Sequence, residues 1–167
     1  MYSVLTMVFS IVLMSIIATM TVNHIPIDAL IAKRAREQAI EGYQALGAGA
    51  GRYILSVKDA EGVIHLPPPG QDLANVLAPG FVFIPQPPKR MDWSIQTSSY
   101  LGMQAIAICL FPKDEAEQPE KAAVLGATQA RNFFPPAAIF VSSHCNATSN
   151  SDGGRYTTYW VLAAHHS

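Results

Sequence analysis

Apolar and polar residues are sorted along this chain into one uncharged opening, one amphipathic stretch and a longer region of short apolar runs. From Tyr2 to Val22 (YSVLTMVFSIVLMSIIATMTV) there is no Asp, Glu, Lys, Arg, Asn, Gln, Pro or Gly. About 20 such residues at a helical rise of about 1.5 Å match the hydrocarbon layer of a bilayer, so the pattern predicts a transmembrane anchor over residues 1–23. No Lys or Arg precedes the run, and Ile16, Ala18 and Met20 make a poor small-x-small cleavage site. The segment therefore reads as an uncleaved anchor and not as a signal peptide.

Pro26 follows the run and interrupts or restarts the helix there. Beyond it, IDALIAKRAREQAIEGYQAL is rich in helix formers, and Asp28 suits a first helical turn. Ile27, Ile31, Ala35, Ala39, Tyr43 and Leu46 form an apolar stripe, with Lys33, Arg34, Glu37 and Glu41 largely off it. The stripe is a candidate packing or partner surface, facing either its own domain or another subunit. Gly47-Ala-Gly-Ala-Gly51 reads as a helix stop, giving a stem over residues 24–51 and a soluble domain over 52–167.

In that domain, residues 52–58 and 62–66 read as two strands around a turn at Asp59-Ala-Glu-Gly62. Residues 71–77 form a short helix, residues 81–84 a short strand, and residues 93–98 and 103–111 two further strands. A helix follows between Pro112 and Asn132, with Pro119 at its first position. Residues 138–143 and 155–163 are strands joined by a polar loop that ends in Asp152-Gly153-Gly154. The order predicts an α+β fold: a transmembrane helix, an amphipathic stem, then a small domain with an antiparallel or mixed sheet and one or two helices.

Composition narrows the function classes. The net charge is -1 and charged residues make up 14% of the 167, with no basic block that would suit nucleic acid. There are two cysteines, Cys109 and Cys145, each read as lying in a strand. They admit one disulfide in an oxidising compartment or two buried free thiols. His144-Cys145 with Asp152, His165 and His166 is the best arrangement for a thiol enzyme. Neighbouring strand residues face opposite ways, however, so His144 is badly placed to activate Cys145. His65, His144, His165 and His166 lack metal-ligand spacing. Asp114, Glu115, Glu117 and Glu120 read as a solvated helix start. The glycine run precedes a predicted strand and so lacks the helix N-terminus of a phosphate loop. Tyr156, Tyr159 and Trp160 read as strand packing residues, and Asn146-Ala-Thr148 matches a glycosylation sequon. The reading is of a non-enzyme without cofactor, catalytic or metal site.

The opening MYSVLTMVFSIVLMSIIATM, the helix ending in EGYQALGAGAGRYI and the strand-rich remainder resemble the PilM family, encoded with plasmid-borne type IVB (thin) pilus systems of conjugating bacteria. The resemblance implies a non-enzymatic, membrane-anchored component of pilus assembly and conjugative transfer. Its implied partners are the lipid bilayer and other pilus assembly or pilin proteins, with a homo-oligomer also open and no nucleic acid. The layout is also pilin-like, which leaves a minor pilin-like subunit of the fibre as the alternative. A membrane-tethered hydrolase or thiol enzyme ranks third. Lys33, Arg34 and Arg36 after the apolar run favour a cytoplasmic domain by the positive-inside rule. The pilus resemblance and a disulfide favour the periplasm. The expectation carried forward is a single-pass protein of the bacterial inner membrane with its C-terminal domain in the periplasm.

Overall fold

A computed structural model describes residues 7–12, 14, 27–113, 119–136 and 138–163. Its longest element is helix α1 (Ile27–Ser56), 30 residues or about 45 Å of helix. A single turn of helix, α2 (Ala74–Leu77), precedes strand β1 (Met91–Tyr100) and strand β2 (Met103–Pro112). Helix α3 (Lys121–Gln129) runs into a 3-10 turn (Ala130–Phe133), followed by β3 (Ile139–Ser142) and β4 (Tyr156–Leu162). The four strands form one sheet in the order β1-β2-β4-β3, and every pairing is antiparallel. The α+β class and the antiparallel sheet agree with the sequence reading.

Strand β1 alternates strictly: Met91, Trp93, Ile95 and Thr97 are buried while Asp92, Ser94, Gln96 and Ser98 are half-buried. That period of two puts Met91, Trp93 and Ile95 into the core shared with α1, while the Thr97 hydroxyl donates to the Pro68 carbonyl. In β2, Ile106, Ile108 and Leu110 join the same core, while Ala105 and Ala107 belong to a second cluster with Phe140 and Trp160. Both faces of β2 are thus covered, which explains its nearly unbroken apolar run. The second face is covered by the loop between β3 and β4. Cys145 in this loop is bonded to Cys109 of β2, and the Trp160 Nε1–H donates to the Ala147 carbonyl at 3.0 Å. Cys145 lies in a turn past the end of β3, not in a strand as its sequence suggests.

Both sheet edges are occupied by irregular chain. Along β1, the Leu73 N–H donates to Ile95 O at 2.8 Å and the Thr97 N–H donates to Gln71 O at 3.0 Å. Along β3, the Val141 N–H donates to Asn150 Oδ1 at 2.9 Å, and the Ser151 N–H donates back to Val141 O at 2.9 Å.

Five further expectations are corrected. The glycine run does not end the stem: α1 continues to Ser56, so residues 52–56 are helical and not a strand. The reason is packing. A Cβ at Gly47 would lie 2.7 Å from Tyr159 and one at Gly49 would lie 2.7 Å from Val82, so small residues let this helix rest on its neighbours. The predicted hairpin over 52–66 shrinks to the bridge Lys58–Ile64. Residues 81–84 are irregular, and Pro119 stands two places before the first residue of α3.

The fifth correction concerns localisation. Among the described residues no helix is long and apolar enough to cross a membrane, which overturns the expectation of a single-pass inner-membrane protein with a periplasmic domain. The predicted span over residues 1–23 falls largely outside the described residues; residues 7–12 and 14 are helical.

Candidate functional site

The sequence-derived stripe divides where α1 meets the rest of the domain. Ala39, Tyr43 and Leu46 are buried in the main core, Ala35 is buried beside it, Ile31 is half-buried, and Ile27 is 71% exposed. Its later part therefore packs on its own domain. Tyr43 is the centre of that packing. Its ring meets Trp93, Phe134 and Tyr159 edge-on at centroid distances of 5.1, 6.0 and 5.9 Å. Its hydroxyl donates to the Thr157 carbonyl at 2.8 Å and is paired with the Thr157 hydroxyl. Burial pushes the phenol pKa far above its ordinary value. This tyrosine is a structural group and not an acid-base one.

The early part of α1 is different. Ile27, Leu30, Ile31 and Ala35 form one wall and floor of an open groove of about 370 Å³. Pro88, Lys89 and Arg90 of the turn before β1 form the opposite wall, with Glu120 and Ala123 at the start of α3 closing one side. Arg90 holds φ 62, a left-handed conformation that turns the chain into β1. The groove is apolar along its floor and carries Arg34, Lys89 and Arg90 against the single carboxylate of Glu120 on its rim. Close approach of α3 to α1 shapes it: a Cβ at Gly126 would overlap the Ala32 carbonyl, so only glycine lets the two helices come this near. The arrangement suits noncovalent binding of an apolar segment.

The other candidates resolve as follows. Cys109 and Cys145 are joined, with Cα atoms 5.6 Å apart, so Cys145 is half of a disulfide and not a thiolate nucleophile. His144 lies beside that disulfide, its Nδ1 3.4 Å from the Ser143 hydroxyl. Asp152 sits in the loop between β3 and β4, while His165 and His166 fall outside the described residues. Among the described residues, no group of three or more His, Cys, Asp or Glu side chains could hold a metal ion. Asp114, Glu115 and Glu117 lie outside the described residues. Tyr159 packs toward α1, Trp160 stacks on Tyr100 across the second face, and Tyr156 stacks on Phe111.

Sequence reasoning missed two arrangements. The first is the groove itself, because Leu30 lies beside the stripe and residues 88–90 are far away in sequence. The apolar pair Leu30 and Ile31, followed by Arg34 one turn later, was the available signal. The second is an exposed turn in which Asp59 Oδ1 accepts from the Glu61 and Val63 N–H groups at 3.0 and 2.8 Å. His65 Nε2 lies 2.9 Å from Asp59 Oδ2, and chiefly this hydrogen bond holds the Asp59 carboxyl below its ordinary pKa.

Fold and site together define a class: an α+β domain in which a long helix lies on an antiparallel sheet and begins beside an open apolar groove. Comparison with protein-family models, with curated proteins and with solved structures found no match.

Proposed function

We propose that this chain is a non-enzymatic component of type IVB pilus assembly in conjugative transfer, acting by binding other pilus proteins. The observation that carries this reading is the groove at the start of α1, where Ile27 and Leu30 remain exposed beside a basic rim. An apolar floor with a charged rim is the usual make-up of a protein-binding surface. The likeness of the opening segment and of the helix to the PilM family supplies the system. The Leu30→Asp variant tests it. Leu30 is 55% exposed, so the fold should survive, while a carboxylate on the floor should abolish co-purification of pilus proteins and lower transfer frequency about tenfold or more. Unchanged transfer after deletion of the whole chain would remove the proposal.

A second reading is a minor pilin-like subunit built into the fibre. It is favoured by the way the later part of α1 is laid along one antiparallel sheet while its first turns stand clear of the core. Sheared fibres separate the two readings: the chain is present in them as a subunit, or absent as an assembly component.

A further inference from the structure

The second face of the sheet is closed by a piece of chain with little of its own to hold it there. In residues 143–149 the apolar side chains are Cys145 and Ala147; the rest are Ser, His, Asn and Thr. This flap nevertheless lies over the cluster of Ala105, Ala107, Phe140 and Trp160, all of them buried. The Trp160 Nε1–H donates to the Ala147 carbonyl at 3.0 Å and the Asn146 N–H donates to the Thr158 hydroxyl at 3.1 Å. Asn146 Nδ2 donates to Gln96 Oε1 at 3.2 Å. These hydrogen bonds and one buried methyl group return little against the entropy of ordering the segment. The remaining tie is covalent, from Cys145 to Cys109 of β2.

Two further observations make the flap a separable unit. Its base is fastened independently of the disulfide: the Ser151 N–H donates to Val141 O and the Arg155 N–H donates to Ser142 O, both at 2.9 Å. The main core is also built without it. Ile106, Ile108 and Leu110 of β2 point into that core, whereas Ala105, Ala107 and Cys109 alternate onto the other face, and none of residues 143–149 enters the main core. We infer that the Cys109–Cys145 bond is a redox latch: its reduction lets residues 143–149 lift off the sheet and bare Trp160, Ala105 and Ala107 while the main core stays folded. Opening of this kind is local, confined to the segment with the fewest apolar contacts. The two sulfurs differ in access, since Cys109 is fully buried and Cys145 half-buried. A thiolate of a dithiol reductant therefore attacks Cys145 Sγ. The Cys109–Cys145 bond breaks, and its electron pair leaves on Cys109 Sγ, which takes up a proton. The second thiolate of the reductant then displaces Cys145, which is protonated in turn, and the reductant departs as its own disulfide. The latch lies away from the groove, so it stands or falls separately from the pilus reading.

The test is amide exchange followed by mass spectrometry on the purified full chain, with and without dithiothreitol. Reduction should speed exchange in residues 144–149 about tenfold or more, with the Asn146 amide among them. Amides of the β1–β2 ladder, and those of Ser151 and Arg155 at the base, should keep their rates. Cys145→Ser should show the fast flap without reductant and no response to it. Brief exposure to glutathione, a monothiol, should leave the mixed disulfide on Cys145. A flap that exchanges equally slowly in both states overturns the inference, because the hydrogen bonds then suffice to hold it. Exchange rising together across the whole sheet also overturns it, since the bond is then a staple of the entire domain. Glutathione found on Cys109 would overturn the direction of attack.

Discussion

Tyr43 ties distant parts of the molecule together, since it touches β1, β4 and the segment after the 3-10 turn while sitting on α1. Its hydroxyl is fully buried and bonded to Thr157. Tyr43→Phe leaves the ring contacts and strips Thr157 of its partner, and should cost about 1–3 kcal/mol in urea unfolding. Tyr43→Ala also opens a cavity and should cost about 3–5 kcal/mol. A second single-residue effect depends on pH. The lowered Asp59 pKa means that the folded turn binds this proton more weakly than the unfolded chain does. Its contribution is therefore complete above the ordinary aspartate range and is lost as pH falls through the lowered value. Amide exchange at Val63 should accelerate below about pH 4, and His65→Ala should move that transition upward toward the ordinary value.

At the scale of elements, one glycine from each helix makes a contrast. Gly51 has open space around its would-be Cβ, so Gly51→Ala should stabilise the protein by about 0.5–1 kcal/mol through helix propensity alone. Gly126→Ala should destabilise it by about 1–3 kcal/mol, because α3 must retreat from Ala32. Melting temperatures of the two variants measured side by side should move in opposite directions. The same contrast explains which elements were legible. β1, β2 and β4 announced themselves through alternation or apolar runs, and α3 through its alanines. The end of α1 did not, because glycine was weighed as a helix breaker when tertiary packing required its small size. The β1–β2 turn was equally hidden: Leu101 and Gly102 hold φ 53 and 77, and leucine is an uncommon residue in the left-handed region. The groove was legible on its α1 side only, since its other wall arrives through folding.

At the scale of the whole molecule, the Cys109–Cys145 bond ties the loop between β3 and β4 to the centre of the sheet across 36 residues of sequence. Closing a loop of that size restricts the unfolded chain by about 3–4 kcal/mol in the chain-entropy model. Reduction should therefore lower the urea midpoint substantially. The Cys109→Ser and Cys145→Ser double variant should match the reduced protein and ignore the reductant. The fold has a further consequence through its two dressed sheet margins. Residues 70–73 lie along β1, and Asn150 with Ser151 lies along β3, so outward backbone groups of Ile95, Thr97 and Val141 are already engaged. A stray strand from a neighbour would have to displace these segments to extend the ladder there, which guards the domain against amyloid-type stacking when many copies are crowded together.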